Sequence, residues 1–271
     1  MRAKAANGFA CSHRRRAVKR PARLAALGAS YNLGVHVEDL GTVPYRDAWA
    51  LQEAAHAEVV GGAEERILLV EHPPVITFGR RPGVDRNIVA TPERLESRGV
   101  EVVPSDRGGD VTFHGPGQLV AYPIVRLIDH ALSVGGYVHA LEHAVIQCLA
   151  DLGVAARKDD CAVGVWVDKG RGRLAKVCAI GVRVRRGATL HGLALNVTTD
   201  LSFFDLIVPC GLVGRPVTSL QELLGDKSPP MERVKQVLGE RLVAGLSGRV
   251  ALPPGADRPK GSCVAPAAAV R

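Results

Sequence analysis

A cysteine in an irregular segment is the first candidate for chemistry in this sequence. Cys210 lies in LIVPCGLVGRPVTSL, between Pro209 and Gly211, and belongs to no regular apolar pattern. A structural cysteine usually occupies an apolar face of a helix or strand, as the spacing around Cys148 and Cys178 indicates. A cysteine on a loop can instead act as a nucleophile where its surroundings favour the thiolate. The residues alone leave both readings of Cys210 open.

A lysine and two histidines could assist such a thiol. Lys176 opens the strand KVCAIGVRV, and strict alternation places it on the face opposite to Ala179 and Gly181. A lysine at a strand end is usually a solvated edge charge. His114 and His191 each precede a glycine, where a histidine more often anchors a loop than acts as a base. The pattern therefore gives these three residues a structural and a catalytic interpretation.

The segment RGGDVTFHGPGQ, residues 107–118, holds four glycines and one proline in twelve residues. Such a loop exposes backbone N–H groups and lets a ligand or another segment approach the main chain closely. It matches neither GxxxxGK[ST] nor a GxGxxG turn between a strand and a helix, so it predicts neither a P-loop nor a dinucleotide site. A plain glycine-rich turn remains the alternative.

Composition and charge exclude several classes of protein. Aromatic residues make up only 4% of the chain, so the core must be built from aliphatic side chains. No apolar run approaches the length of a membrane span. The formal charge of +8 resides in residues 1–37, which carry eight basic side chains and no acidic one. Because the remainder has neither a basic stripe nor an aromatic RNA-binding motif, we predict no nucleic-acid and no membrane partner.

The six cysteines are at least 13 residues apart, so no CxxC metal or redox spacing occurs. No metal and no cofactor is predicted. We interpret the cysteines as thiols in a reducing compartment, with Cys161 as a packing residue.

The chain divides into three parts. Residues 1–31 form a basic extension and residues 251–271 a tail rich in Pro, Gly and Ala, and both are predicted to be disordered. Residues 32–250 are predicted to fold as one domain. An Arg-rich, acid-free start fits an organelle transit peptide or a misassigned start site. The expected location is therefore the cytoplasm, with an organellar matrix as the alternative.

Periodicity within residues 32–250 predicts an α+β fold with a mixed, largely antiparallel sheet flanked by helices. YRDAWALQEAAHAEVVGG and the run from Val134 to Leu152 have helical spacing. A final helix is predicted with Ser228 as N-cap and Pro229 in its first turn. ILLVEH, VITFG, EVVPSD and QLVAYPIVRL are predicted strands. VGVWVD and KVCAIGVRVRR form a predicted hairpin around KGRGRLA, and LHGLALNV continues the sheet.

Three motifs together resemble the octanoyltransferases of lipoate biosynthesis. They are RGGDVTFHGPGQLVAYP, KVCAIGVRVRRGATLHGLALNV and PCGLVGRPVTSL, and the upstream LLVEHPPVITFGR is also similar to the family. The resemblance covers about residues 35–245. It implies a fold like that of lipoate-protein ligases and biotin protein ligases, and an acyltransferase that moves an octanoyl group from octanoyl-acyl carrier protein to a lysine of lipoyl domains. The implied acceptors are the lipoyl domains of 2-oxoacid dehydrogenases and the glycine cleavage H protein.

The resemblance also implies roles for individual residues. Cys210 matches the cysteine that forms the acyl-thioester, and Lys176 matches the lysine that lowers its pKa. Three stretches match substrate-binding segments: Arg107, Gly108, Gly109, Asp110, Val111, Thr112, Phe113 and His114; Ala179, Ile180 and Gly181; and Gly192, Leu193 and Ala194. Cys178 departs from the family pattern, in which a small Ala or Ser is more usual, and the basic extension has no counterpart in compact members.

Two other enzyme classes remain as alternatives. An ATP-dependent lipoate-protein ligase shares the implied fold, and GRGR at residues 170–173 is similar to a biotin-ligase phosphate loop. Its place in a predicted hairpin turn, just before Lys176, argues against that role. A cysteine hydrolase would share the nucleophile, but it would have to admit water to the thioester.

Overall fold

The computed structural model describes residues 34–170, 172–208 and 215–246. Cys210, most of the segment around it, and the predicted tails 1–31 and 251–271 lie outside these residues. None of the helices in the described ranges is long and apolar enough to cross a membrane.

The described residues form ten strands in two sheets. The strands are β1 Val35–Thr42, β2 Glu65–Glu71, β3 Val75–Phe78, β4 Glu101–Pro104, β5 Thr112–His114, β6 Gln118–Ile124, β7 Arg157–Lys158, β8 Val165–Asp168, β9 Leu174–Arg185 and β10 Ala188–Asn196. The large sheet has the order β1-β2-β6-β10-β9-β8-β7, and the small sheet has the order β4-β3-β5. Only the β1–β2 and β3–β4 pairs are parallel among these strands. The predicted α+β class with a largely antiparallel sheet is confirmed.

Helices cover both faces of the large sheet. The α-helices are α1 Tyr45–Val60, α2 Pro92–Ser97, α3 Val134–Asp151, α4 Leu220–Leu224 and α5 Met231–Leu246. Short 3₁₀ helices occupy Val84–Asn87, Leu127–His130, Leu201–Leu206 and Gly225–Lys227. Helices α3 and α5 pack on each other and on one face, where they bury a large aliphatic core. Helix α1 packs through Ala48, Ala55 and Val59 on the other face.

The small sheet lies beside the α1 face and has its own core. Phe113 on β5 stacks on Phe203 with a centroid separation of 4.6 Å and meets Phe204 edge-on. Five of the eleven aromatic residues of the chain are phenylalanines, so three of the five meet in this one place. Because these rings bury a large apolar area, they hold the loop that joins β4 and β5 over the large sheet.

Three local predictions need correction or confirmation. The last helix begins at Met231, after two prolines, so the prediction that Ser228 caps it is wrong. Cys161 is exposed and disulfide-bonded, so the prediction that it is a packing thiol is also wrong. The hairpin of β8 and β9 is confirmed, and the Lys169 N–H donates to the Arg173 carbonyl at its turn.

Gly192 on β10 must lack a side chain. A Cβ there would lie 2.1 Å from the Ala121 carbonyl oxygen and 2.9 Å from Pro123 Cδ. Gly192→Ala is therefore expected to lower the free energy of unfolding by about 3 kcal/mol, measured by urea denaturation. The matched control is Gly135→Ala near the start of α3, where the nearest atom to a Cβ is Ser133 Oγ at 3.9 Å. The control is expected to be neutral or slightly stabilising, and equal losses in the two variants would contradict the steric argument.

Candidate active site

A cleft of about 510 Å³, part of it open to solvent, lies between the α1 face of the large sheet and the small sheet. The predicted substrate-binding residues meet there, although they come from three separate stretches. Those that line the cleft are Arg107, Gly109, Asp110, Val111, Thr112, His114, Ala179, Ile180, Gly181, Gly192, Leu193 and Ala194, together with Lys176. Their roles in binding or catalysis stay predictions.

Two of the predicted residues support the cleft without lining it. The Gly108 N–H donates to the Val182 carbonyl at 2.9 Å, which fastens the loop to β9. Phe113 points into the core of the small sheet. Cys210 lies outside the described residues.

Four further residues line the cleft, and the sequence analysis assigned none of them to substrate binding. They are Tyr45, Val120, Tyr122 and His191. His191 was interpreted as a loop anchor or a base, and the other three carried no local signal. Val120 and Tyr122 lie on a fully buried strand, and pairing of β6 with β10 brings them to the same face as Ala194. Only the strand order reveals this neighbourhood.

A bulge in β9 directs Lys176 into the cleft. Val165 pairs with Cys178 and Trp166 pairs with Lys176, so Val177 is an extra residue on β9. Strict alternation would put Lys176 on the face opposite to Ala179, and that prediction is wrong because the bulge shifts the register by one residue. Lys176 therefore shares the cleft with Ala179 and Gly181.

The Lys176 side chain is buried, with only 8% of the residue exposed. Its Nζ lies 4.7 Å above the centre of the Trp166 ring, an arrangement that favours a cation. Gly164 makes room for the stem, because a Cβ there would meet Lys176 Cε at 3.3 Å. The backbone of Lys176 exchanges hydrogen bonds with Pro216 and Thr218, which belong to the segment that follows Cys210.

Arg107 brings a buried positive charge to the wall of the cleft. Its Nη2 donates to the Thr77 carbonyl at 2.6 Å and to Thr77 Oγ1 at 3.0 Å, and Nη1 donates to the Gly108 carbonyl at 3.2 Å. These bonds hold the guanidinium against β3 and against its own loop.

His114 is neutral and its tautomer is fixed by its neighbours. Gln118 Nε2 donates to the Phe113 carbonyl, so Gln118 Oε1 must accept from His114 Nδ1–H at 2.7 Å. The bare Nε2 faces the Thr77 hydroxyl at 3.4 Å. Burial, with smaller effects from His72 and Arg107, lowers the pKa of His114 to about 3. Gln118 Nε2 also donates to Asn196 Oδ1 at 2.9 Å, which extends the bonded chain to β10.

His72 and Tyr122 form a second buried pair. His72 Nδ1–H donates to the Val43 carbonyl at 2.6 Å, so His72 Nε2 accepts from the Tyr122 hydroxyl at 2.8 Å. Burial lowers the pKa of His72 to about 4 and raises the pKa of Tyr122 well above its usual value. The Tyr45 hydroxyl is likewise bonded to Ser105 Oγ at 2.8 Å. These rings present carbon to the cleft, since their polar atoms are bonded behind it.

His191 has the left-handed backbone, with φ of +58°, that non-glycine residues rarely adopt. Its Nε2–H donates to Asp106 Oδ1 at 2.6 Å, and Arg183 holds the other oxygen of the same carboxylate. The Arg183–Asp106 ion pair links the loop of residues 106–110 to β9. The hydrogen bond from His191, whose pKa burial lowers to about 3, links the same loop to β10. The interpretation of His191 as a loop anchor agrees with these contacts.

The free cysteines among the described residues are poor nucleophiles. Cys148 and Cys178 are both fully buried. Burial raises the pKa of Cys148 to about 12 and raises the pKa of Cys178 further, so both remain protonated thiols at neutral pH.

The chain is similar to known proteins over nearly all of its described part. The sequence profile of the lipoyl protein ligase A/B catalytic domain matches residues 44–243. The chain is 50% identical to the octanoyltransferase of Chloroflexus aggregans, covering 78% of this chain and 92% of that protein. It is 46% identical to the octanoyltransferase of Bacteroides fragilis, covering 77% of this chain and 96% of that protein.

Solved structures of ligases share the fold. A crystal structure of lipoate-protein ligase A bound with ATP has a TM-score of 0.64 at 18% identity, covering 78% of this chain and 85% of that chain. A bipartite lipoate protein ligase from Thermoplasma acidophilum has a TM-score of 0.62 at 17% identity, covering 79% of this chain and 83% of that chain. At this level of identity the likeness concerns the fold alone.

The lowered pKa of His72 makes stability depend on pH. Its contribution is fully present above pH 6.5 and is lost as the pH falls toward 4, because the unfolded chain binds the proton first. His72→Asn is expected to be less stable than the unsubstituted protein at pH 7, and this difference should shrink by about 3 kcal/mol between pH 6.5 and 4. Urea denaturation at a series of pH values measures it. A difference that stays constant over this range would show that His72 is not held neutral by burial.

Proposed function

This chain belongs to the lipoyl protein ligase A/B catalytic domain family and is an octanoyltransferase of lipoate biosynthesis, and we propose that it transfers the octanoyl group through a thioester on Cys210. The observation that carries the proposal is the position of Lys176. Its side chain lines the cleft, and its backbone is bonded to residues that follow Cys210 by only six to eight positions. Among the described residues, Cys148 and Cys178 are buried and Cys161 is disulfide-bonded, so none of these three is placed to act as the nucleophile.

In the first half-reaction, the Cys210 thiolate attacks the carbonyl carbon of the carrier-bound octanoyl thioester. A new carbon–sulfur bond forms, the bond to the carrier sulfur breaks, and the carrier thiolate takes up the proton that the Lys176 ammonium gives up. Because one thioester replaces another, the step is close to isoenergetic and needs no ATP. An ammonium near Cys210 that lowers the thiol pKa by ~2 units would supply roughly 2.7 kcal/mol and make the thiolate the main form.

In the second half-reaction, an acceptor lysine attacks the Cys210 thioester. Its amine forms an amide with the octanoyl carbonyl carbon, and the Cys210 sulfur leaves as a thiolate. The acceptor ammonium loses two protons overall. One goes to solvent as the ammonium becomes an amine, and the other goes to Lys176, which the first half-reaction left neutral and which is the proposed base. The same side chain thus holds a proton in one half-reaction and accepts one in the other.

The cleft suits an apolar chain although many polar residues line it. Tyr45, Tyr122 and His114 have their polar atoms bonded behind the wall, and both His72 and His114 are neutral at pH 7. His191 Nδ1 is the exception, because it is buried without a hydrogen-bond partner among the described residues. Most of the wall therefore costs an octanoyl tail little desolvation, and each methylene that the tail buries is worth about 0.8 kcal/mol.

We propose octanoyl-acyl carrier protein as the donor. The proposed acceptors are the lipoyl domains of 2-oxoacid dehydrogenases and the glycine cleavage H protein. The names of the relatives imply an acyl donor and a lipoyl domain in general terms, and the finer choice rests on the thioester chemistry above.

An ATP-dependent ligase is the alternative on this fold. A ligase activates its acid as an adenylate and has no need of a nucleophilic cysteine. The GRGR segment lies at the β8–β9 hairpin, where the Lys169 N–H donates to the Arg173 carbonyl. This hydrogen bond is typical of a turn and favours that interpretation over a phosphate loop. Dependence on ATP separates the two activities.

Incubation with octanoyl-acyl carrier protein, without ATP, is expected to add one octanoyl mass to the protein. The experiment includes a reductant because Cys161 is disulfide-bonded. Intact-mass analysis and peptide mapping should place a hydroxylamine-labile label on Cys210. Cys210→Ser is expected to lose essentially all transfer while remaining folded, because one ammonium cannot ionise a hydroxyl. The matched control, Cys148→Ser, should still be labelled. A label on Cys178 or Cys161, or a requirement for ATP, would overturn the proposal.

Lys176→Ala is expected to raise the pKa of Cys210 and to slow both half-reactions. The pH dependence of iodoacetamide alkylation at Cys210 measures the first effect, and single-turnover rates with each substrate measure the second. Lys169→Ala is the matched control, since Lys169 lies on the hairpin and pairs with Glu222. Superimposable alkylation curves for Lys176→Ala and the unsubstituted protein would show that Lys176 is not the ionising partner.

A further inference from the structure

One cysteine of the described residues has a covalent bond that acyl transfer does not use. Cys161 is exposed and disulfide-bonded. The chain has six cysteines, and the two buried ones are free. The partner of Cys161 is therefore one of the three cysteines that lie outside the described residues, Cys11, Cys210 and Cys263.

The loop that carries Cys161 is joined to the segment that follows Cys210. Asp159 Oδ1 accepts hydrogen bonds from the Cys161 and Ala162 N–H groups, both at 2.9 Å. The same carboxylate oxygen lies 2.9 Å from Arg215 Nη1 in an ion pair. Arg215 follows Cys210 by only five positions. Because five extended residues span at most about 18 Å, the chain keeps Cys210 within reach of this loop.

The Trp166 ring connects the same loop to Lys176. The Trp166 Nε1–H donates to the Ala162 carbonyl at 3.2 Å. Lys176 Nζ lies 4.7 Å, and the guanidinium carbon of Arg215 lies 5.0 Å, from the centre of this ring. The loop of Cys161 therefore lies beside the side chain that the proposed function pairs with the Cys210 sulfur.

The two other cysteines are less suited to bond with Cys161. Cys11 and Cys263 are separated from the nearest described ends of the chain by 23 and 17 positions. The N-terminal end enters the large sheet at β1, five strands away from β8, which is roughly 24 Å at about 4.8 Å per strand. Closing a loop costs more entropy as the free segment lengthens. The chain is already fixed at Arg215, five positions from Cys210, so the contacts of the loop favour Cys210.

We propose that Cys161 forms a reversible disulfide with Cys210, by which a peroxide stops acyl transfer and a dithiol restores it. The inference rests on the proposed function, since it takes Cys210 to be the nucleophile. A sulfur atom that is bonded to Cys161 cannot carry the octanoyl group, so the disulfide and the thioester exclude each other. Because Cys161 is exposed, a reductant can reach the bond.

The disulfide forms in two steps that balance. The Cys210 thiolate attacks one oxygen of hydrogen peroxide, the O–O bond breaks, and Cys210 becomes a sulfenic acid while hydroxide leaves and takes up a proton. The Cys161 thiol then attacks the sulfenic sulfur, the S–O bond breaks, and the oxygen leaves as water with the thiol proton. Two electrons pass from the two sulfurs to the peroxide. Exchange with a dithiol returns two electrons to the pair and leaves the dithiol oxidised.

Peptide mapping without reductant tests the pairing. The full chain is reduced with dithiothreitol and then treated with hydrogen peroxide, and the remaining thiols are blocked with iodoacetamide before digestion. The expected product is a pair of peptides joined between Cys161 and Cys210. A pair that joins Cys161 to Cys11 or Cys263, or the absence of any joined pair, would overturn the proposal.

Transfer from octanoyl-acyl carrier protein tests the consequence. The peroxide-treated protein is expected to lose essentially all transfer and to regain it in dithiothreitol. Cys161→Ser is expected to match the unsubstituted protein when reduced, since Cys161 takes no part in transfer. After peroxide it should stay inactive in dithiothreitol, because a sulfenic acid at Cys210 that meets no second thiol is oxidised further to a sulfinic acid, which a thiol does not reduce.

The matched control is Cys263→Ser, the same change at another of the candidate partners. It should recover in dithiothreitol as the unsubstituted protein does. Equal recovery in Cys161→Ser, or the same permanent loss in Cys263→Ser, would contradict a specific role for Cys161. Failure of the reduced, unsubstituted protein to acquire an octanoyl label would instead refute the proposed function, while the peptide map, which needs no acyl donor, still decides the pairing.

Discussion

One buried chain of hydrogen bonds joins the two sheets and shapes the cleft between them. It runs from Arg107 through Thr77 and His114 to Gln118, and from there through Asn196 to the Thr218 carbonyl. Thr77 and His114 belong to the small sheet, and Gln118 and Asn196 to the large one. A polar chain that is fully satisfied rigidifies its surroundings, whereas one missing member leaves buried groups unpaired at a cost of about 1–3 kcal/mol. The spacing of the sheets, and hence the width of the cleft, depends on this chain.

The same chain ends beside the residue of greatest chemical interest. Thr218 accepts from Asn196, and its own N–H donates to the Lys176 carbonyl. The wall of the cleft and the strand that carries Lys176 are therefore parts of one bonded unit. Because the polar atoms bond to each other, the surface they leave for a ligand is made of ring faces, small side chains and backbone. An apolar cleft can in this way be built from histidine, tyrosine and arginine.

Much of this arrangement could be predicted from the sequence, and the exceptions within the sheet depend on which strands pair. The α+β class and the hairpin of β8 and β9 follow from periodicity, which is local, and the stretches that meet at the cleft follow from the resemblance to the octanoyltransferases. The side of β9 on which Lys176 lies could not be predicted from alternation, because the bulge at Val177 arises from pairing with β8. Tyr122 carried no signal for a similar reason, since its place in the cleft depends on which strand lies next to β6. The cap at Ser228 was wrong because two prolines delay the helix to Met231.

Fold and reaction separate clearly in this family. The ligase structures share the architecture at 17–18% identity, so the fold alone does not decide how an acyl group is activated. A ligase must supply the energy of activation itself, so it needs a site for ATP. A transferase receives its acyl group already activated, and needs only a thiolate and a group that can hold and return a proton. The proposed transfer assigns this second task to Lys176, which the Trp166 ring and the bulge in β9 hold in the cleft.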